Sequence, residues 1–508
     1  MAEESPRPFR RDPWSPALLV LALMLIALWP GDVSWLLDEP RLIATAWHAN
    51  HDHQLAVGGL YGNFGIRYGP LPTQIYQLLL LVTHDPFTLV VLRALLCAGV
   101  TGGALLWLAR RLALPGWFVA GALVSPHVVA YQRVLWDASF AMPVGALALA
   151  SFADFLHTQR ARSLRLCVIT SVLVTTIHPQ SLPLSAALLG WLAWQHRPAL
   201  WSDRRALGVA GAIVLLFNGY YFVQFAGQLC ARLGGSVQKG YPNGGSHFAS
   251  ALAPLLGGRL LSGADYLQSL ARLSAPEWLH ITAQSCAILI YPLAWVGICV
   301  AGFNAWRMVR EPRKVTPRQS VMFVLIAALG LQALLFGAMR IPSATQYFFG
   351  TFPLHVLAAL LAVDVLRKWR LGVVLGMLYA IGSAILTTEA AISIHHYGFE
   401  RPLWPTLASS VGVMQKLNQL SDTTALTDVA VYQKSPQALR TLRLLLPPAT
   451  DPRSNGSGRL LITNDRKMGK PGETTVIELA PDAQPSAGRE QIDTTPLPKD
   501  WVPDPSTW

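Results

Sequence analysis

Apolar runs of about twenty residues, each closed by a polar or basic turn, recur through the first 391 residues of this 508-residue chain. A bilayer core about 30 Å thick takes roughly 20 apolar residues per helix. The pattern therefore predicts eleven transmembrane helices, near 15–37, 86–109, 113–131, 139–157, 164–178, 181–196, 206–225, 279–303, 319–339, 346–366 and 371–391. The fifth and sixth are split only by His178-Pro179-Gln180, so they also read as one kinked hairpin. Between the first two spans the period changes. Leu42, Ile43, Ala46 and Trp47 share one helical face, with Arg41, Thr45 and His48 on the other, which predicts an amphipathic helix in the membrane interface. Ile75–Val82 is a second apolar interfacial stretch. From residue 392 the sequence turns polar and is punctuated by Pro and Gly. Helix-like segments at 410–420 and around 436–446, with strand-like runs at 459–463 and 474–479, predict a small α/β domain over 392–508 with a disordered Pro-rich end.

The fold class expected is an all-α polytopic membrane protein carrying that domain: a short N-terminal segment (1–14), a transmembrane module (15–391) and the C-terminal domain (392–508). Mean hydropathy is +0.37 and only 13% of residues are charged, against roughly 25% in soluble domains. Whole-chain disorder and coiled coil are thereby excluded. The net charge of +12 would suggest nucleic acid if taken alone, but its placement says otherwise. Residues 400–508 are neutral, with 12 basic and 12 acidic side chains. In the membrane module, 19 basic residues fall on one side of the predicted topology, among them Arg110/Arg111, Arg160/Arg162/Arg165 and Arg367/Lys368/Arg370. Basic loops stay cytoplasmic, so the excess charge marks orientation. It predicts a cytoplasmic N-terminus, with loops 38–85 and 226–278 and the C-terminal domain outside the membrane, and no nucleic-acid partner. Arg7, Arg10 and Arg11 precede the first span without a cleavage site after it, which predicts an uncleaved anchor. The five cysteines lie in or beside apolar runs without ligand spacing and read as small buried hydrophobes.

The chemistry concentrates in the first external loop. Asp38-Glu39-Pro40-Arg41 opens the amphipathic helix, and Tyr61-Gly62-Asn63 and Arg67-Tyr68-Gly69-Pro70-Leu71-Pro72 follow. A carboxylate at that depth suits a general base towards an incoming hydroxyl or amine. Asp38 would serve equally as a helix N-cap before Pro40. Asp137, in Trp136-Asp137-Ala138-Ser139-Phe140, is a second candidate, or it marks a loop beside an interfacial Trp. Arg93 falls inside a predicted span, where it needs a partner; Asp85 and Asp38 are the candidates. His48, His51 and His53 beside Asp52 have the residue types for a divalent metal but lack a fixed third element. His178-Pro179 reads as a Pro-broken turn.

In their order along the chain these segments resemble the GT-C class of polyprenyl-phosphate-sugar-dependent glycosyltransferases. The similarity is to the branch of aminoarabinose transferases and protein O-mannosyltransferases (family 39-like), over roughly residues 15–370. Arg93, the Trp136-Asp137 segment, and Arg340 with Gln346-Tyr347-Phe348 match the positions of that family's short motifs. Gly69, where the aminoarabinose transferases have Lys, and Asp137, where several relatives have Asn, are departures. The resemblance implies transfer of a sugar, with inversion, from a polyprenyl-phosphate donor to a lipid, glycan or protein acceptor at the extracytoplasmic face of a bacterial inner membrane. It implies Asp38 as base, assisted by Glu39 and Asp137, and Arg340, Arg67, Arg41, Tyr347 and Gln346 at the donor phosphate. The alternatives are a transporter or lipid-sugar flippase, and a scaffold acting through the C-terminal domain. The long, decorated outer loops and charge-poor spans favour an enzyme.

Overall fold

The computed structural model describes residues 14–35, 38–60, 67–239, 246–256, 258–263, 274–311, 315–341, 345–399, 406–412, 430–431, 445, 459–463 and 475–479. Tyr61-Gly62-Asn63 and most of the two helix-like C-terminal segments lie outside these residues.

The first helix, α1 (Trp14–Ala27), stops ten residues short of its predicted end. Trp29 takes a left-handed φ of 47° and Pro30 has no N–H to continue the ladder, so residues 28–35 form an irregular stem. The stem leads to α2 (Asp38–His51), whose buried Leu42, Ile43 and Ala46 are the predicted apolar face. Helix α3 (Leu71–Val82) turns Leu78, Leu81 and Val82 outward. Two glutamines of α3 tie down the intervening chain. Gln77 donates to the Asn50 side chain (3.0 Å) and the Gln54 carbonyl (2.8 Å) and accepts from the Ala56 N–H (2.9 Å); Gln74 donates to the Ala56 carbonyl (3.0 Å).

Helix α4 (Pro86–Arg111) is capped by Asp85, which accepts from the Thr88 N–H (2.8 Å). The span predicted over 113–131 is two short helices, α5 (Trp117–Leu123) and α6 (Pro126–Arg133). Pro126, with no N–H to donate, breaks the run and holds Ser125 extended. Next come α7 (Ala141–Thr158), α8 (Ala161–Ile177) and α9 (Leu182–Gln195). A 3-10 turn, Pro179–Ser181, joins α8 to α9 at the His178-Pro179-Gln180 break. After α10 (Arg197–Ser202), α11 (Arg204–Lys239) runs well beyond the predicted 206–225 into the expected outer loop. That loop also holds the short α12 (His247–Leu252) and α13 (Gly258–Ser262). Helices α14 (Glu277–Ile288) and α15 (Ile290–Arg310) nearly abut. Then follow α16 (Pro317–Met339), started by a Thr316/Gln319 capping box, α17 (Phe352–Leu366) and α18 (Leu371–Tyr397).

Among the described residues six segments are long and apolar enough to cross a membrane: Pro86–Arg111, Ala138–Thr158, Arg204–Gln224, Glu277–Arg310, Pro317–Met339 and Leu371–Tyr397. The fifth, sixth and tenth predicted spans form helices of 17, 14 and 15 residues. Of these six, Ala138–Thr158, which contains α7, is the most enclosed, with α7 packed against α4 and α8. In contrast, Leu215, Leu216, Phe217, Tyr220 and Val223 of α11 all point outward. So continuous an apolar surface is stable in lipid and not in water. Cys97 and Cys167 are buried as expected, but Cys286 is half-buried and Cys299 exposed.

Beyond α18, residues 406–412 return to the stem. The N–H groups of Leu407 and Ala408 donate to the carbonyls of Val33 and Gly31 (both 2.9 Å), and Ser34 pairs with Thr406. His395 of α18 stacks on Trp29 (4.5 Å) and meets the Asp32 carboxylate (3.1 Å). Further on, β1 (Ala430–Val431), β2 (Arg459–Thr463) and β3 (Thr475–Leu479) form a sheet in that order, β1 parallel and β3 antiparallel to β2. The latter two strands coincide with the predicted runs to within one residue.

Candidate active site

At one end of the bundle the start of α2, the segment between α6 and α7, the turn after α8 and the entry to α17 converge. Asp38 is the first residue of α2 and half-buried. The Trp136 indole N–H donates to its Oδ2 at 3.1 Å. Burial raises the Asp38 carboxyl above its ordinary value, while Arg41 one turn along the helix and the Trp136 hydrogen bond pull it down. A carboxylate raised in this way is a stronger base.

Asp137, next in sequence to Trp136, is completely buried. Its Oδ1 accepts from the Ala138 N–H at 2.7 Å and its Oδ2 has no hydrogen-bond partner. Burial first, then the negative charge of Asp38, push its carboxyl up to about 7. The two carboxyls thus lie within one another's field and cannot both be comfortably ionised. Arg93, fully buried, donates to the Tyr131 carbonyl (2.9 Å) and to the Ser139 hydroxyl, with its guanidinium carbon 5.2 Å from the centre of the Phe140 ring. The ion pair expected with Asp85 or Asp38 is not formed. Asp85 serves as the cap of α4 instead.

An aromatic cluster backs this pair. Phe349 lies 5.8 Å from Trp136 and 4.7 Å from Tyr131. His178 sits among Tyr68, Tyr347 and Phe349 at ring separations of 5.9, 6.2 and 6.4 Å. It is buried, and burial drives its pKa down to about 3, so it is neutral, with Nδ1 unpartnered. From the sequence His178 was only a turn residue. The pointer to it was the His-Pro break between two apolar runs.

The other predicted residues are placed as follows. Glu39 is buried behind Asp38 and Arg41 is half-buried beside it. Arg67 is half-buried and its Nε donates to the Gly59 carbonyl (3.0 Å). Tyr347 is in the aromatic cluster, and Gln346 is the half-buried residue before it in the 3-10 turn Thr345–Phe348. Arg340 takes a left-handed conformation at the end of α16 and its Nε donates to Nε2 of His247 (2.9 Å), with His247 Nδ1 2.7 Å from the Gly337 carbonyl. It is exposed, and its side chain is joined to α12 through His247. Among the described residues no three His, Cys, Asp or Glu side chains converge as a metal would require. His51 stacks on Trp47 (5.2 Å), His48 meets the same ring edge-on, and His53 is exposed in a left-handed turn. His48 and His51 thus flank the Trp47 ring from different directions. The Gly69 N–H donates to the Thr176 carbonyl (2.7 Å), and a Cβ at 69 would sit 2.8 Å from both Thr176 Cβ and that oxygen. The contact leaves no room for a lysine there.

Arg110 and Arg111 end α4, Arg162 and Arg165 lie in the first turns of α8, and Arg307 and Arg310 end α15.

A scan against protein-family models found no match, and neither did a search of curated proteins. Two crystal structures of ArnT from Cupriavidus metallidurans share the fold. The apo state is 14% identical with a TM-score of 0.53, covering 88% of this chain and 92% of that one. The structure bound to undecaprenyl phosphate is 15% identical with a TM-score of 0.54, covering 93% and 99%. At such identity the likeness is one of fold, and it is the GT-C-like fold expected from the sequence.

Proposed function

We propose that this chain is an integral membrane glycosyltransferase that moves a sugar from a polyprenyl-phosphate donor to an acceptor at the extracytoplasmic face, with inversion. The observation that carries the reading is Asp38, a half-buried carboxylate at the start of α2 whose pKa burial raises, oriented by the Trp136 N–H. A fold shared with a protein crystallised with undecaprenyl phosphate supports the donor class.

In this reading Asp38 removes the proton from an acceptor hydroxyl or amine. The acceptor atom forms a bond to the anomeric carbon as the bond from that carbon to the phosphate oxygen breaks. The proton ends on Asp38 and the electron pair leaves with the polyprenyl phosphate. Phosphate is already a good leaving group, so no second acid is required and cations do the remaining work. Arg41 and Arg67, in the same loop as the base, are the first candidates for the phosphate, since guanidinium binds its oxygens bidentately. Arg340, Gln346 and Tyr347 are the further set proposed for the donor phosphate, with Arg340 held at α12 by His247. Asp137 tunes Asp38 by its charge state, and Glu39 supports the helix start. The eleven-span topology with an outer C-terminal α/β domain belongs to the same proposal.

The test is release of undecaprenyl phosphate from an undecaprenyl-phosphate pentose or hexose, measured on the purified protein in nanodiscs. Asp38→Asn is expected to abolish release while donor binding persists. Full turnover by that variant removes Asp38 as base, and donor moved across the bilayer without product by the wild type would make the protein a flippase.

A further inference from the structure

We infer that Arg93 is a positioning residue for Asp38: from inside α4 it grips the 131–139 segment at both ends and so sets the Trp136 indole against the Asp38 carboxylate. The inference rests on the reading of Asp38 as the base.

A guanidinium at that depth remains charged and is costly unless its N–H groups are used. Arg93 is 0% exposed. It uses Nη1 on the carbonyl of Tyr131 (2.9 Å) and Nη2 on the hydroxyl of Ser139. Those partners bracket the segment joining α6 to α7: Tyr131 lies in the last turn of α6 and Ser139 in the 3-10 turn Ala138–Phe140 that leads into α7. The Ser139 hydroxyl donates onward to the carbonyl of Trp136 at 2.8 Å, and the indole N–H of the same residue reaches Asp38 at 3.1 Å. A continuous hydrogen-bonded path therefore runs from a span to the base through Ser139 and Trp136. The aromatic contacts of Trp136 with Tyr131 (6.0 Å) and Phe349 (5.8 Å) limit its other movements. An arginine present only to neutralise a buried carboxylate would pair with one. Among the described residues no carboxylate forms an ion pair with Arg93; its two hydrogen bonds go to this segment, and the guanidinium also neighbours the Phe140 ring and the Tyr76 hydroxyl.

The charged groups in the field of Asp38 are Arg41 on its own helix and Asp137 on the gripped segment. Both remain when the path is cut elsewhere. Loss of the Trp136 donor removes a bond that favours the ionised carboxylate, so Asp38 then titrates at higher pH.

The experiment uses the full chain in nanodiscs, with Arg93→Gln, Arg93→Lys, Ser139→Ala and Trp136→Phe. Infrared difference spectra against Asp38→Asn isolate the Asp38 carboxyl and give its titration without reference to turnover. Arg93→Gln and Ser139→Ala are expected to move that titration upward, as Trp136→Phe does. Adding Ser139→Ala to Trp136→Phe is expected to produce no further shift. In the transfer assay kcat is expected to fall roughly ten- to hundredfold with KM for the donor unchanged, with partial recovery in Arg93→Lys. A Trp136→Phe shift that neither Arg93→Gln nor Ser139→Ala reproduces would overturn the inference even if Arg93→Gln folds poorly, because Ser139→Ala cuts the same path with a smaller change. A wild type that transfers no sugar while its Asp38 titration responds as expected would sink the functional reading and leave the positioning role standing.

Discussion

Replacing Asp137 by Asn tests the electrostatics of the site directly. The carboxyl is fully buried, one oxygen has no partner, and Asp38 adds negative charge nearby, which together raise its pKa from an ordinary 3.8 to about 7. The folded state therefore holds the proton more tightly than the unfolded state does. Stability conferred by that proton is full below pH 4 and is lost progressively as the pH rises towards 7. A displacement of about three pH units corresponds to about 4 kcal/mol at 1.36 kcal/mol per unit. Asn is neutral at every pH and nearly the same size. The advantage of Asp137→Asn over the wild type should thus grow by about 4 kcal/mol between pH 4 and pH 7 and then level off. Thermal unfolding of both proteins in one detergent across that range would read it as a widening, then constant, gap in Tm. A gap that is the same at pH 4 and pH 8 would refute the reasoning, since it would mean that Asp137 is ionised, or neutral, throughout. The same experiment on an Asp38→Asn background should compress the window, because the neighbouring charge that helps raise Asp137 is gone.

Two further outcomes follow from the first loop. Gln77→Ala removes three side-chain hydrogen bonds at about 1 kcal/mol each, so the Ala56 amide should exchange its hydrogen roughly a hundredfold faster; an unchanged rate would mean the glutamine is not what holds 54–60 to α3. Gly69→Ala places a methyl 2.8 Å from the Thr176 carbonyl oxygen and should lower stability by about 1–3 kcal/mol, measured by thermal unfolding; a neutral substitution would show that this contact yields.

Sequence reasoning reached the parts of the site that local pattern governs. The apolar stripe of α2 and the acidic residues at its start are short-range features, as is the Trp136-Asp137 pair. The partners of Arg93 were not reachable in that way. They are a backbone carbonyl and a hydroxyl 38 and 46 positions away, groups that no charge-matching argument selects. Hydropathy also passed over Pro126, because an apolar run counts the same whether or not its N–H groups can complete a helix. The enclosure of His178 by Tyr68, Tyr347 and Phe349 depends on three distant segments meeting. A His-Pro dipeptide by itself signals only the turn.

The return of residues 406–412 to the stem at Gly31–Ser34 closes the polypeptide into a ring whose seam lies four residues from Asp38. Tension on whatever follows residue 412 reaches the base along two backbone hydrogen bonds, without passing through the helical core. A chain ended after Tyr397 would retain every long helix yet leave the leash of Asp38 slack. Length added between Phe399 and Thr406 would act on Asp38 through this seam, separately from the hold that Arg93 exerts from within α4.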